Sequence, residues 1–144
     1  MGGEGEGSRR LLREARYAEI VSARARGDVE FITDAMRPDV VIELAGSSSI
    51  AGAYRGYEGF EHYVAAMGST VRSAGKPMRF EHEGEVLVVH QVGALVGTGE
   101  FHEMPFRIRI RFDADERISH IQVEPEDPDV FDRVVDARPS PPMT

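Results

Sequence analysis

The amino-acid sequence predicts an α+β domain, with helices in the first half of the chain and strands in the second half. Apolar residues recur at helical spacing as far as Met67, whereas apolar and polar residues alternate beyond Pro77. Strands that follow one another along a chain favour an antiparallel sheet, and the helices must then cover one of its faces. We therefore expect a curved antiparallel (mixed) sheet wrapped over three N-terminal helices, which forms a cone with an apolar mouth.

Three helices are predicted. The first covers Arg9 to Arg26, ends at Gly27, and has an apolar stripe with two larger residues on its flank: Leu11, Ala15, Ala18, Val21 and Ala25, then Tyr17 and Ile20. Asp28 caps a short second helix that carries Val29, Ile32 and Met36, and Pro38 stops it. The third helix ends at Gly68, and its apolar residues follow the spacing i, i+3, i+4 and i+7: Phe60, Tyr63, Val64 and Met67.

The strands are predicted from β-branched residues and from alternation. A short, buried strand covers Asp39 to Leu44, and a glycine-rich connection leads from it to the third helix. Four further strands lie beyond Pro77 in the segments MRFEHE, EVLVVHQVGALVGTG, PFRIRIRF and RISHIQVE. The second of these segments, Glu85 to Gly99, has two sides. One side has Val86, Val88, His90, Val92, Ala94 and Val96, and the other has Leu87, Val89, Gln91, Gly93 and Leu95. We expect the side that contains His90 to face the interior.

The last hairpin is expected to pair Phe112 with Arg117 across its turn. The pairs that follow from this register are Ile108 with Ile121, Phe106 with Val123, Arg109 with His120, and Arg107 with Gln122. One face of the hairpin is then apolar and the other is charged. The arginines of the charged face, Arg107, Arg109 and Arg111, have three interpretations: a solvated outer face, a homodimer interface or an anion site.

Length and composition exclude several classes of protein. The 144 residues make one domain, over residues 9–135, with a Gly-rich acidic tail at 1–8 and a Pro-rich tail at 136–144 that we expect to be flexible. No cysteine is present, which excludes disulfides and thiolate chemistry. The net charge of −8 disfavours nucleic acid and anionic lipid as partners. No apolar stretch is long enough for a membrane span or a signal peptide, so we expect a cytoplasmic protein.

The order of these elements, together with three residue strings, resembles the SnoaL-like and ketosteroid-isomerase-like branch of the nuclear transport factor 2 family. The strings are ARGDVEFITDAMRPDVVIEL, GSSSIAGAYRGYEGF and RIRIRFDADERISHIQV, which occur in the family's order. The resemblance implies a cone-shaped fold with an apolar pocket and a habit of forming homodimers through the outer face of the sheet. The fold hosts isomerases, cyclases, hydrolases and non-catalytic proteins, so it does not determine the chemistry.

The catalytic positions of the family are apolar in this sequence. The carboxylate base of the ketosteroid isomerases falls on Leu44, their tyrosine falls on Ile20, and their protonated acid falls at or near Ile108. The last-strand position of the SnoaL-type cyclases has Ile121 and Val123 as its candidates. An alkyl side chain cannot take up a proton, so the ketosteroid isomerase mechanism is not expected here.

Other polar side chains are candidates for catalysis in the expected cavity. His90 would be an imidazole in apolar surroundings and is the candidate base. Tyr17 and Tyr63 are candidate hydrogen-bond donors, and Glu43 would join them if a β-bulge turned it inward. The candidate substrate-binding residues are apolar: Ile20, Leu44, Met67, Val88, Val92, Phe106, Ile108, Ile121 and Val123.

Two functions remain open. One is a cofactor-independent acid/base enzyme of the isomerase, cyclase or epoxide-hydrolase type, which acts on a mostly apolar small metabolite such as a polyketide. The other is a non-catalytic domain that binds an apolar ligand or serves as a dimeric adaptor. The pairs His82-Glu83 and His102-Glu103 lack the second histidine of a zinc helix, so neither a metal nor another cofactor is expected.

Overall fold

One curved mixed sheet of seven strands organises the part of the chain that the structure describes. The structure is a computed structural model that describes residues 2–96 and 101–137. The strands are β1 Met36–Leu44, β2 Gly52–Arg55, β3 Val71–Ser73, β4 Arg79–Glu83, β5 Val86–Val96, β6 Phe101–Phe112 and β7 Ile118–Pro125. The helices are α1 Gly2–Arg26, α2 Val29–Asp34, α3 Gly56–Gly68 and α4 Pro128–Asp136.

The strand order is β2-β1-β7-β6-β5-β3, and β4 also pairs with β5. The pair β1 and β7 is parallel, whereas all the other pairs are antiparallel. The sheet is therefore mixed, and its inner face packs against the helices around one apolar core. The largest fully buried core side chains are Phe131, Met36, Ile42, Leu87, Leu95, Ile110 and Ile118. The predicted α+β fold with a curved mixed sheet is confirmed.

The ends of α1 and α2 follow local signals. Gly27 has a φ of +72°, a left-handed conformation that favours glycine and ends α1. The Asp28 carboxylate accepts a hydrogen bond of 3.2 Å from the backbone N–H of Phe31 and caps α2, as predicted. However, α2 ends at Asp34 and β1 already begins at Met36, so Pro38 lies in a strand and does not stop a helix.

The predicted apolar stripe of α1 is wrong. Leu11 is 67% exposed, and the buried face is formed instead by Arg13, Tyr17, Ile20 and Ala23. Arg13 belongs to this face because its guanidinium makes a bidentate contact with Glu116, at 2.7 and 3.0 Å. The helix also begins at Gly2, inside the segment predicted to be a flexible tail. Residues 138–144 of the predicted second tail lie outside the described residues.

Three elements were not expected: β2, β3 and α4. The signal for α4 was present in the sequence, because Pro128 occupies its first turn and Asp127 accepts a hydrogen bond of 3.2 Å from the backbone N–H of Val130. The helix packs on the sheet through Phe131, whose ring meets that of Phe106 edge to face with centroids 5.6 Å apart. None of the described helices is long and apolar enough to cross a membrane.

The register of the last hairpin differs from the prediction by two residues. Ile108 pairs with Val123, and Ile110 pairs with Ile121. Phe112 pairs with Ile118 instead of Arg117, and an irregularity between Arg111 and Phe112 shifts the pairing by one residue more. The turn is held by the Asp113 carboxylate, which accepts hydrogen bonds from two backbone N–H groups. A shift of two residues preserves the faces of both strands, so the inner face remains apolar as predicted.

Candidate functional site

A cavity of about 370 Å³ lies between the concave face of the sheet and the helices α1 and α3, and it is partly open to solvent. Its walls come from α1, α3, β1, β3, β5, β6 and β7. Most of its lining is apolar, and it includes seven of the predicted substrate-binding residues: Ile20, Met67, Val92, Phe106, Ile108, Ile121 and Val123. Its volume suits a small organic molecule, at the lower end of the range for ligand pockets. We call it the cone cavity.

Two predicted substrate-binding residues are not in this lining. Leu44 is buried in the core instead, with 3% of its surface exposed. Val88 is also buried, but it lies between Glu81 and Arg109 in the sheet, on the other face of β5. The substrate-binding role of the seven lining residues stays a prediction.

A hydrogen bond joins α1 to β5 in the wall of the cone cavity. The hydroxyl of Tyr17 donates to the side-chain oxygen of Gln91, at 3.2 Å. Burial raises the pKa of Tyr17 to about 12, while the positive charge of Arg24 opposes the rise. Tyr17 is therefore a neutral hydroxyl at neutral pH. It serves as a donor and not as a base.

Tyr63 of α3 is the second tyrosine of the cavity. Burial raises its pKa above the ordinary value, with a smaller contribution from Tyr17, and Arg24 again opposes the rise. Its ring packs edge to face on Tyr54, with centroids 5.6 Å apart. The hydroxyl of Tyr63 has no hydrogen-bond partner within residues 2–96 and 101–137, so it is available to a ligand.

The structure places His90 outside the cone cavity, because the predicted inner face of β5 is wrong. Leu87, Val89, Gln91 and Leu95 point inward, so alternation turns His90 outward. Its Nε2 atom lies 3.4 Å from a carboxylate oxygen of Glu81, in an ion-pair geometry if the ring is protonated. Valines occur on both faces of this strand, and this explains why alternation alone did not identify the inner one.

His90 contributes instead to a second cavity, of about 470 Å³, on the outer face of the sheet. Charged side chains of neighbouring strands share its lining, among them Arg79, Arg107 and Glu124. Charged and apolar residues both line this pocket, so it differs from the predicted apolar surroundings of a catalytic histidine. A catalytic role for His90 stays untested, but a role inside the cone cavity does not fit its position.

Glu43 also lies on the outer face, so no bulge turns it into the cavity. Its carboxylate lies 3.3 Å from the Nε2 atom of His120 and accepts a hydrogen bond of 3.3 Å from Gln122. Arg109 on the same face contacts Glu124 at 2.7 Å and Glu83 at 3.8 Å. These pairs describe a charged outer surface. Pairing of two copies through this face stays a prediction.

The cone cavity thus contains polar groups that the sequence reasoning missed or set aside. An inward-facing His90 would put Gln91 on the outside, but Gln91 shares the inner face of β5 with Val89 and Gly93. Arg24 lies seven residues after Tyr17 and therefore on the same face of α1, a spacing that the sequence already contains. Among the described residues that line the cavity there is no Asp, Glu or His. The same ranges contain no group of three or more residues arranged to hold a metal ion.

Comparisons with known proteins agree on the fold. No family model and no curated protein matches the chain. An NTF2-like protein from Burkholderia xenovorans LB400 has a TM-score of 0.74 at 18% identity, over 85% of this chain and 95% of that one. A candidate polyketide cyclase from Xanthomonas campestris pv. campestris has a TM-score of 0.68 at 14% identity, over 88% and 98% of the two chains. TerC, co-crystallised with polyporic acid, has a TM-score of 0.69 at 17% identity, over 85% and 97%. The chain therefore has the NTF2-like fold, with the curved sheet and helices of these structures.

Proposed function

We propose that the protein binds a small, mostly apolar metabolite with a carbonyl oxygen in the cone cavity. The observation that carries the proposal is the combination of an apolar lining with hydrogen-bond donors. Tyr63 offers a hydroxyl that has no partner among the described residues, and Gln91 retains its amide N–H groups because Tyr17 occupies its oxygen. A few placed polar groups in an apolar pocket are typical of small-molecule sites.

Two structural neighbours support a ligand of this class. TerC was co-crystallised with polyporic acid, and another neighbour is a candidate polyketide cyclase. Polyporic acid and polyketides are small organic molecules, which agrees with a cavity of about 370 Å³. The identities of 17% and 14% relate the folds only, so the proposal depends on the side chains of this cavity.

Binding is testable with 2-acetonaphthone and 9-fluorenone, two neutral aromatic ketones, by ligand-observed NMR and calorimetry. Val21 lines the cavity on α1, so Val21→Trp fills part of it and is expected to weaken binding at least tenfold. Val29 is 57% exposed on α2, and Val29→Trp adds the same side chain outside the cavity. If neither ketone binds the wild type, or if a folded Val21→Trp protein binds both unchanged, the proposal is wrong.

A second candidate function is catalysis at the bound carbonyl. The neutral Tyr63 hydroxyl, which no described side chain occupies, favours it, because such a group polarises a carbonyl by donating to its oxygen. Proton abstraction then falls to water, since no described residue of the lining is a carboxylate or an imidazole. Water is a weak base, so the described residues of the site do not form a pair of catalytic acid and base side chains. Binding is therefore the better supported function.

Exchange of the methyl protons of 2-acetonaphthone in D₂O tests the catalytic candidate. Enolisation releases a proton from the methyl carbon to water, and return of the enol to the ketone takes up a deuteron from the solvent. A positioned acid typically accelerates such a step by about 10²-fold or more. We expect Tyr63→Phe to remove any acceleration and His90→Ala to leave it unchanged. Exchange at the buffer rate with the wild type would leave binding as the function.

A further inference from the structure

Arg24 lies on the cavity face of α1. With Tyr17, Ile20 and Val21 it follows the spacing 0, 3, 4 and 7 of one helix face, and all four residues line the cone cavity. The charge of Arg24 reaches the hydroxyls of both cavity tyrosines, because it opposes the rise in the pKa of Tyr17 and of Tyr63. Arg24 therefore lines the same cavity as the two hydroxyls and acts on them electrostatically.

Arg24 has no carboxylate partner in the described part of the chain, which is notable in a protein of net charge −8. Three other arginines of the same helix are paired: Arg9 and Arg13 with Glu116, at 3.7 and 2.7 Å, and Arg26 with Asp28, at 3.7 Å. Arg10 and Arg16 also have no carboxylate partner among the described residues, but they lie outside the cavity lining. The lining also includes Arg72, which pairs with Ala94 across the sheet. Ala94 is the neighbour of the inward-facing Leu95, so the side chain of Arg72 points to the opposite face of the sheet. Of the two arginines in the described lining, Arg24 is therefore the one that lies on the side of the two tyrosines.

We infer that the ligand of the cone cavity is an organic anion, with an apolar ring system and one carboxylate or enolate group that Arg24 binds. The inference rests on the proposed function and specifies its substrate class. The rings would lie against Ile108 and Ile121, while the anionic oxygens meet the Arg24 guanidinium and the Tyr63 hydroxyl. Arg24 is exposed, so the bound anion keeps part of its hydration and pays a small desolvation cost.

A matched pair of probes separates charge from shape. 2-Naphthoate and 2-acetonaphthone share the ring system and the carbonyl, and they differ in an anionic oxygen against a methyl group. We expect 2-naphthoate to bind roughly three- to fivefold more tightly than the ketone, the scale of a partly solvated ion pair. This preference should disappear at about 1 M NaCl, where the screening length falls to about 3 Å.

The variant Arg24→Gln is expected to remove the preference, and Arg24→Lys to retain part of it. Arg10→Gln is the control, since it removes the same charge from an exposed position of α1 outside the cavity lining. If the ketone binds and 2-naphthoate binds no better, or if the preference survives in Arg24→Gln, the inference is wrong while the proposed function stands. If neither probe binds, the inference is wrong, and if 9-fluorenone does not bind either, the proposed function is wrong as well.

Discussion

The hydroxyl of Tyr17 donates a hydrogen bond of 3.2 Å to the side-chain oxygen of Gln91, 74 residues further along the chain. The bond connects α1 to the inner face of β5 within the wall of the cone cavity. Both groups are polar in a mostly apolar lining, so each satisfies the other where water has little access. The position of α1 over the cavity therefore depends on this pair as well as on apolar packing.

Removal of one partner of this pair should lower the free energy of unfolding more than removal of both. In Gln91→Met the buried Tyr17 hydroxyl loses its acceptor, and we expect a loss of about 1–3 kcal/mol in the free energy of unfolding. Adding Tyr17→Phe should recover part of this loss, because no polar group then remains unsatisfied. Denaturant unfolding of both single variants and the double variant measures the coupling. Gln122→Met on the outer face is the control, and purely additive effects would contradict the prediction.

The stability of the fold should fall in alkaline solution. Burial raises the pKa of Tyr17 from 10.0 to about 12 and also raises the pKa of Tyr63. Between pH 10 and 12 the unfolded chain loses the Tyr17 proton while the folded chain retains it, so the unfolded state binds fewer protons and stability declines as pH rises. A pKa difference of about two units between the folded and unfolded states corresponds to a loss of roughly 2–3 kcal/mol in the free energy of unfolding.

Unfolding curves in urea at pH 9, 10 and 11 measure this decline. Tyr17→Phe and Tyr63→Phe should each flatten the dependence on pH, because phenylalanine has no proton to lose. Tyr57→Phe serves as the comparison, since it removes a hydroxyl that donates to backbone oxygens of Thr33 and Met36 instead. If the free energy of unfolding falls equally steeply with pH in the wild type and in Tyr17→Phe, Tyr17 does not contribute to the loss of stability.

Arg13 should be the most sensitive charged residue of α1. Its buried guanidinium contacts both carboxylate oxygens of Glu116, reaches the backbone oxygen of Glu85 at 3.2 Å, and lies 4.9 Å from the ring centroid of Phe112. Hydrogen bonding to Glu116 raises the pKa of Arg13 further. We expect Arg13→Met to lower the free energy of unfolding by about 2 kcal/mol, because Glu116 loses its bidentate partner.

Arg9 provides the matched control for Arg13. It contacts the same Glu116 at 3.7 Å, but its side chain is 53% exposed. Arg9→Met should therefore change stability by less than about 0.5 kcal/mol in thermal or urea unfolding. Arg13→Lys should not restore stability, because an ammonium group lacks the planar fork of the guanidinium. Equal losses for Arg9→Met and Arg13→Met would refute the distinction.

Elements with strong local signals were predictable from the sequence. Helix α3 was predicted because Phe60, Tyr63, Val64 and Met67 define one helix face and Gly68 ends it, and the structure has a helix over Gly56–Gly68. The faces of the last hairpin were predicted because its apolar and charged residues alternate strictly. In both cases the pattern is contained within a few residues of the element that it specifies.

The buried face of α1 and the inner face of β5 depend on distant residues. Arg13 lies on the buried face because its partners are 72 and 103 residues away, a relationship that no local periodicity contains. On β5, Leu87, Val88 and Val89 are all buried, so apolar residues occupy both faces and alternation loses its meaning. The polar residue of β5 that faces the cone cavity is therefore Gln91, whereas His90 lies on the opposite face.

Gly46 should be among the glycines least tolerant of substitution. A Cβ atom there would lie 2.6 Å from Oδ1 of Asp132, whose other oxygen accepts a 2.8 Å hydrogen bond from the backbone N–H of Ser47. Gly52 has a similar φ, +127° against +113°, but nothing within 4 Å of the added atom. We expect Gly52→Ala to cost about 1–2 kcal/mol through backbone strain, and Gly46→Ala about 1 kcal/mol more, because Asp132 must move away from Ser47. Chemical denaturation compares the two, and equal losses would exclude a role for the contact with α4.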